Sequence, residues 1–312
     1  YYAVRGFFEN GGLVATVIRL EDGIGPLEAL KNGLAVAREL DGVDVVCTPD
    51  IVGSADLEAV IAMQDEVLNH CRLSGDRFAI LDTPIASDRE QVLKQSGRFN
   101  SSYGALYHSW LRVAGGPTGV ADVPPSGHIA GIFSRSDQNF GVHKAPANEI
   151  VEGILDLVLH PTLSEQRDMF ANRVNYLRAF TGRGVRVWGA RTLSRDTDWQ
   201  YISTRRLFLT INRWLERFMT ELPFAPNDHH LWIRIMREVA VYLDTLYQLG
   251  ALKGATADHA FYVKCDAETN TTDVRDAGLV VTEIGLATAV PGEFIVTRVI
   301  HGRSGVSITT DT

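Results

Sequence analysis

Arg77-Phe78-Ala79-Ile80-Leu81, followed at once by Asp82-Thr83-Pro84, sets the fold class of this chain. Four consecutive apolar side chains leave no polar face, so the segment reads as a near-continuously apolar strand, and Asp-Thr-Pro stops it. On its N-terminal side, Leu57, Val60, Ile61, Leu68 and Cys71 recur at helical spacing. Gln64 is the one polar lapse on that face, Ser54 reads as the N-cap, and Asp56 and Glu58 suit the dipole of the first turn. Further back, Val43 to Cys47 is a strand running into Thr48-Pro49-Asp50. Pro26 to Leu40 starts with a helix-opening proline and carries Leu27, Leu30, Leu34 and Ala37 on one side. Leu13 to Leu20 (LVATVIRL) reads as the first strand, and Tyr103 to Val113 as a further extended stretch. Apolar strands alternating with helices imply an α/β unit with a mainly parallel, helix-covered sheet.

Beyond a Gly/Pro-rich loop at Pro117 to Pro125, the pattern changes. Thr162-Leu163-Ser164-Glu165 fits a capping box opening a helix through about Phe180. Gly182-Arg183-Gly184 stops it and starts a strand, Val185 to Trp188. Helices follow from about Thr204 to Glu221 and from Asp228 to Leu249, the second closed by Gly250. The last third is β: Ala260 to Asp266, Gly278 to Leu286 and Glu293 to His301. The chain is therefore expected to be α+β overall, with an α/β domain at 1–160 and a second domain at 161–312.

The 312 residues, 45 % hydrophobic and 22 % charged, are ample for two such units and exclude collagen-like, low-complexity and wholly disordered classes. No apolar run approaches the roughly 18 residues of a spanning helix, and Tyr1-Tyr2-Ala3-Val4-Arg5 has no signal-peptide layout. The chain begins without Met and in mid-pattern, so a natural N-terminal segment is expected to precede it. Cys47, Cys71 and Cys265 have no metal-knuckle or redox spacing and read as free thiols in a reducing compartment. The net charge of −8 argues against nucleic acid as a partner of the whole surface. Its distribution is uneven. Glu165 to Arg217 holds eleven arginines, no lysine and five acids, a balance of +6 that leaves −14 to the remainder. Arginine without lysine suggests bidentate or stacked pairs, made either inside the chain or with an acidic partner.

Enzymatic cues are thin. Asp50 and Asp82 follow the carboxyl ends of two parallel strands, where α/β enzymes place their sites. No Gly-x-Ser-x-Gly elbow supplies a nucleophile, and capping helices or turns is the simpler role for both aspartates. Gly182-x-Gly184 precedes a strand, whereas a dinucleotide loop must follow one and open a helix. Adjacent His229 and His230 diverge by about 100° on a helix and do not make a metal pair. No catalytic, cofactor-binding or metal-ligating residue is assigned.

A set of ordered motifs carries more. They are Phe7-Phe8-Glu9-Asn10-Gly11-Gly12, Val123-Pro124-Pro125-Ser126-Gly127-His128-Ile129-Ala130-Gly131 and Gly141-Val142-His143-Lys144-Ala145-Pro146-Ala147-Asn148. After these come Gly182-Arg183-Gly184-Val185-Arg186-Val187-Trp188-Gly189-Ala190-Arg191-Thr192, Arg205-Arg206-Leu207-Phe208, Phe224-Ala225-Pro226-Asn227 and Leu231-Trp232. Gly250-Ala251-Leu252-x-Gly254, Ala260-Phe261, Cys265-Asp266 and Pro291-Gly292-Glu293-Phe294 complete the series. In this order they resemble the contractile tail sheath proteins of bacteriophages and phage-derived injection systems. Two departures stand out: Met169 to Asn175 replaces a turn that usually contains a glycine, and Gly292 replaces a more usual alanine.

The resemblance implies a first half with subtilisin-type topology and no protease activity, then a sheath C-terminal domain. It implies a virion structural protein assembled in the bacterial cytoplasm as six-fold rings stacked helically around an inner tube, meeting baseplate and terminator or cap proteins, without nucleic acid or membrane insertion. Terminal arms of the family add strands to a neighbour's sheet. Phe294, Val296, Arg298, Ile300, Val306 and Ile308 are the expected arm here. A helix of the C-terminal domain meets the tube by charge complementarity, and Arg167, Arg173 and Arg178 are the expected contacts. Phe8, Asn10, Gly11, Pro125, Gly127, Lys144, Pro146, Asn148, Arg183, Trp188, Arg191, Arg205, Arg206, Asn227, Trp232, Asp266, Glu293 and Phe294 are expected to be structural motif residues.

Overall fold

The computed structural model describes residues 1–53, 56–220, 226–288, 295–302 and 305–311. It has a mixed α/β fold in two compact units, Tyr1–Arg206 and Leu207–Thr312.

The first unit opens with α1 (Tyr2–Glu9) and α2 (Pro26–Arg38), the latter with Pro26 in its first turn. β1 (Val45–Cys47) leads through a 3-10 turn (Pro49–Gly53) into α3 (Leu57–Ser74), β2 (Phe78–Asp82), α4 (Arg89–Arg98) and β3 (Gly104–His108). β4 (Leu111–Ala114), β5 (Val120–Val123), α5 (Ser126–Phe140), β6 (Asp156–Leu157), α6 (Leu163–Ala171), β7 (Val174–Phe180) and β8 (Gly184–Trp188) follow. The main sheet runs β1-β2-β3-β7-β8. Its first three pairings are parallel, and β7–β8 closes it as an antiparallel hairpin. Strands beyond residue 160 thus complete the sheet that β1 begins. A small sheet is ordered β5-β4-β6, with both pairings antiparallel.

β2 is central and buried at all five positions. Alternate side chains reach opposite faces: Ala79 and Leu81 join Val60, Ile61, Leu68 and Cys71 of α3, while Phe78 lies 6.4 Å from the Phe133 ring of α5. Each fully buried large aliphatic contributes about 1.5–3 kcal/mol, so a two-sided apolar strand needs helices on both faces. The polar lapse on α3 has a purpose. Gln64 Nε2 donates to the Asp82 carbonyl at 2.7 Å and its Oε1 accepts from Gln95 Nε2 at 2.7 Å, so α3, β2 and α4 are tied through a closed polar network.

Three local expectations are corrected. Ser54 lies outside the described residues, and the N-cap of α3 is Asp56, whose side chain accepts from Glu58 N–H. Leu13 to Leu20 is not a strand: its residues join no ladder, and Leu13, Val14 and Val17 are 68 %, 83 % and 71 % exposed. Apolar character alone cannot make a strand without a partner edge, and only Ile18 and Leu20 pack, over Gly33 of α2. The helix expected from Thr162 to Phe180 ends at Ala171. Its capping box is present as read, but Arg173 adopts φ +61°, a left-handed conformation that no helix continues. Val174 to Leu177 are then buried as strand β7, beside β3.

The second unit carries most of α7 (Ile202–Thr220), then α8 (His229–Gln248), α9 (Ala257–Ala260), β9 (Phe261–Lys264), α10 (Thr272–Asp276), β10 (Val280–Leu286), β11 (Ile295–Gly302) and β12 (Gly305–Asp311). Trp214 of α7 stacks on Tyr242 of α8 with centroids 3.9 Å apart. The four strands form an antiparallel sheet ordered β12-β11-β10-β9. Asn227 links this sheet to α8: its Nδ2 donates to the Leu279 carbonyl at 2.7 Å and its Oδ1 accepts from Trp232 Nε1 at 2.9 Å.

Candidate functional site

The motifs that lie far apart in sequence meet in pairs. α1 lies against α5 with almost no side chain between them: a Cβ at Gly127 would fall 2.3 Å from the Ala3 carbonyl oxygen, and one at Gly131 2.3 Å from that of Phe7. Glycine at both positions is what permits this approach. The His128 ring covers Gly6, and its burial lowers its pKa to about 4, so the imidazole sits there neutral. Pro125 is the N-cap residue of α5. Asn10, fully buried, donates to the carbonyls of Gly6 and Glu152 and accepts from Glu152 N–H. Gly11 turns at φ +101° against Arg135, whereas Phe8 is half exposed.

A second meeting joins the segment 141–148 to β8. Asn148, at φ +62°, donates its N–H to the Val187 carbonyl and accepts from Arg186 Nη1 at 2.6 Å. Lys144 pairs with Glu149 at 2.7 Å and lies over the Phe140 ring, and Pro146 is buried. Arg206 forms a two-pronged pair with Asp137 of α5, at 2.8 and 2.5 Å, and is only 6 % exposed. Asp266 caps its own turn by accepting from Glu268 and Thr269 N–H. Glu293 and Phe294 lie outside the described residues.

The strand-end aspartates are placed differently from each other. Asp50 is exposed on the 3-10 turn. Asp82 is enclosed and accepts from Ser126 N–H at 2.9 Å, capping α5 from outside the helix. Burial pushes its pKa up to about 7, with the Ser126 hydrogen bonds pulling the other way. Among the described residues no cluster of His, Cys, Asp and Glu is arranged to hold a metal ion, and no helix is long and apolar enough to cross a membrane. The three cysteines are free thiols, with Cys71 and Cys265 buried.

The three arginines expected on one helix occupy three different elements. Arg167 is exposed on α6, Arg173 sits in the left-handed turn, and Arg178 lies on β7, with its guanidinium 4.8 Å from the Phe180 ring centroid and 5.7 Å from that of Trp188. Arg183 is exposed at the tip of the β7–β8 hairpin. Arg191 lies 3.9 Å over Phe170, and Arg205 is held between Trp199 at 3.5 Å and Tyr103 at 4.6 Å. Sequence reading missed Asp137 as the partner of Arg206, and no spacing rule links residues 69 apart. It also missed the β7–β8 hairpin, although Thr181-Gly182-Arg183 between two β-patterned runs was its signal.

Of the expected arm residues, those among the described residues lie on two strands of the second unit's sheet. β11, with Val296, Arg298 and Ile300, is bonded to β10 on one side and to β12 on the other. Val306 and Ile308 lie on β12, an edge strand whose residues from 305 to 310 alternate exposed and half-buried.

Comparison with known proteins reaches across most of both units. The phage tail sheath protein central domain matches residues 28–193, and the phage tail sheath C-terminal domain matches 194–300. A prophage major tail sheath protein of Pseudomonas aeruginosa strain UCBPP-PA14 is 26 % identical over 225 residues, covering 66 % of this chain and 57 % of that protein. The chain spans about half the length of the curated relatives it matches. Among solved structures, the contracted sheath complex of the extracellular contractile injection system PVC superposes with a TM-score of 0.77 at 29 % identity, over 94 % of this chain and 78 % of that one. The contracted baseplate structure of the anti-feeding prophage contains a chain that superposes with a TM-score of 0.80 at 27 % identity, over 94 % and 82 %. With its central and C-terminal domains both matched and its fold shared with injection-system sheaths, this chain belongs to the phage tail sheath family.

Proposed function

We propose that the chain is the structural subunit of a contractile tail sheath, built as stacked six-fold rings around an inner tube, and that shortening of the sheath drives the tube through a target envelope. The observation that carries this is the sequential match of central and C-terminal sheath domains across residues 28–300. The first unit supplies a rigid block with subtilisin-type topology and no protease role, with Asp82 serving α5 as a cap. Such a block moves as one body, so contraction is a switch between two sets of interfaces and the free energy is stored in the extended set.

The outer edge of β12 is suited to link neighbours, because main-chain hydrogen bonds along an edge persist while bodies rotate. A matching N-terminal arm, baseplate and terminator or cap proteins, and assembly in the bacterial cytoplasm belong to the same proposal. Arg167 on α6 and Arg178 on β7 remain the proposed tube contacts, whereas Arg173, in the turn between them, shares no helix face with either and is not kept as one. Modest, salt-sensitive contacts suit an attachment that must be released.

Electron microscopy of the full-length protein, expressed with and without its tube protein, tests the proposal. Long striated tubes, wide and hollow alone and narrower when filled, are expected. Monodisperse monomers in both preparations would refute it, and tubes of one fixed diameter would favour a static shell.

A further inference from the structure

Four guanidiniums gather where the 189–201 loop returns over the N-terminal ends of β3 and β7. The loop is anchored by Leu193 N–H on the Gly104 carbonyl and by Arg195, whose N–H donates to Asn100 Oδ1 and whose Nη2 donates to the Gly97 carbonyl. Arg191 and Arg173 converge on one residue: the Phe170 carbonyl accepts from Arg191 Nη1 at 3.4 Å and from Arg173 N–H at 3.3 Å. Arg205, 5 % exposed, completes the group between Trp199 and Tyr103. The buried Nε atoms of Arg173, Arg191 and Arg205 find no hydrogen-bond acceptor.

Among the described residues, none of these four arginines forms an ion pair. Of the nearby carboxylates, Asp196 attracts Arg205 without pairing with it, and the others are engaged elsewhere. Asp168 pairs with Arg89 at 2.6 Å, Glu165 closes the α6 capping box, and Asp196 accepts from Asp198 N–H. Even with Asp196 and Asp198 counted against them, the four arginines leave this face positive. Burial, then Arg195 and Arg191, lower the Arg173 pKa, and burial lowers that of Arg205 to about 10. Arg173 moreover holds φ +61°, where glycine would be unstrained. An arginine kept in such a turn, beside like charges, has a use that the fold of this chain alone does not supply.

We infer that the face made by Arg173, Arg191 and Arg195, with Arg205 enclosed behind it, receives carboxylate side chains from a second copy of this chain. The inference rests on the sheath proposal for its biological setting. Planar guanidinium forks bind carboxylates bidentately, which explains arginine in preference to lysine. The carboxylates can come from the chain itself, because outside Glu165 to Arg217 each copy has a net charge of −14. A basic patch on one copy meeting an acidic patch elsewhere on the next is a head-to-tail contact, and such contacts propagate into rings or helices.

Two variants of the full-length chain, Arg173→Gly and the double variant R191Q/R195Q, test this by sedimentation velocity across a NaCl series. Thermal unfolding is measured with and without citrate, a small tricarboxylate probe, at fixed ionic strength. Wild type is expected to self-associate and to weaken steeply with salt. Arg173→Gly should melt no lower than wild type, because its turn is relaxed, yet associate about tenfold more weakly, the effect of one lost charge-assisted contact. Citrate should raise the melting temperature of wild type and not that of R191Q/R195Q.

Variants that associate like wild type, or citrate protection that survives in R191Q/R195Q, would overturn the inference. So would a wild type that binds citrate without self-associating. The sheath proposal is judged separately by microscopy: striated tubes from variants with unchanged salt dependence would leave it standing while this inference fails. Weakened variants of a wild type that forms only small oligomers would do the reverse.

Discussion

Replacing Asp82 with asparagine should make the chain more stable at neutral pH and remove part of its pH dependence. The carboxyl group is 2 % exposed and at the carboxyl end of a strand buried on both faces. Burial raises its pKa to about 7, from the value near 3.9 of an unfolded chain. The folded state therefore binds this proton more tightly than the unfolded state, and the associated stability is fully present below about pH 4 and is lost as pH rises through about 7. A shift of about three units corresponds to about 4 kcal/mol across that window. Asparagine keeps an oxygen to accept Ser126 N–H, and the stronger bond made by the ionised carboxylate is already contained in the net pKa. Asp82→Asn should thus match wild type near pH 4 and exceed it by about 4 kcal/mol near pH 7.5. Urea unfolding followed by circular dichroism from pH 4 to 8 measures this difference, which cancels the titration of every other group. A difference between the two proteins that does not vary with pH, or a variant less stable than wild type at pH 7.5, would refute the reasoning and make the ionised carboxylate a necessary cap.

Other perturbations have equally definite outcomes. Gly131→Ala places a Cβ 2.3 Å from the Phe7 carbonyl, so α1 must shift from α5; a loss of about 1–3 kcal/mol and faster amide exchange in α1 are expected, and unchanged exchange would contradict the packing. Arg206→Lys removes the two-pronged bond to Asp137 and the position over the Phe133 ring, so a fall of about 2–3 kcal/mol in urea stability is expected, where an exposed pair would show under 1. Gln64→Leu removes the shorter of the two acceptors of Gln95 Nε2, leaving it only the Asp82 carbonyl at 3.2 Å in a buried site, and should cost about 1 kcal/mol, read by thermal unfolding. Truncation after Gly302 removes β12 and should abolish tube formation under the electron microscope; tubes that still form would remove β12 from the proposed linkage.

What the sequence made legible follows from how locally each feature is encoded. β2 was readable because four apolar residues in a row have no other economical use, and α3 because its face repeats over five turns. Gln64 was visible as an anomaly, but its partners lie on α4 and at the end of β2, and no periodicity points to them. Leu13 to Leu20 failed for the opposite reason: its composition suits a strand, and whether an edge is there to receive it is not written in the segment. The error at Thr162 to Phe180 turned on one residue. Arginine is an ordinary helix former, so Arg173 gave no sign of a left-handed turn, although the β-branched and aromatic positions Val174 and Tyr176 fit β7 once the turn is allowed. The same residue shows why the basic face needed coordinates. Eleven arginines without a lysine announced an unusual demand for guanidinium, but composition could not divide them. Arg206 meets its carboxylate inside the unit, and Arg173, Arg191, Arg195 and Arg205 form no ion pair there. That division is physical: a paired guanidinium stabilises the fold in which it sits, whereas a group of unpaired ones, one of them held in a strained turn, destabilises the isolated chain and is compensated when a neighbour brings carboxylates.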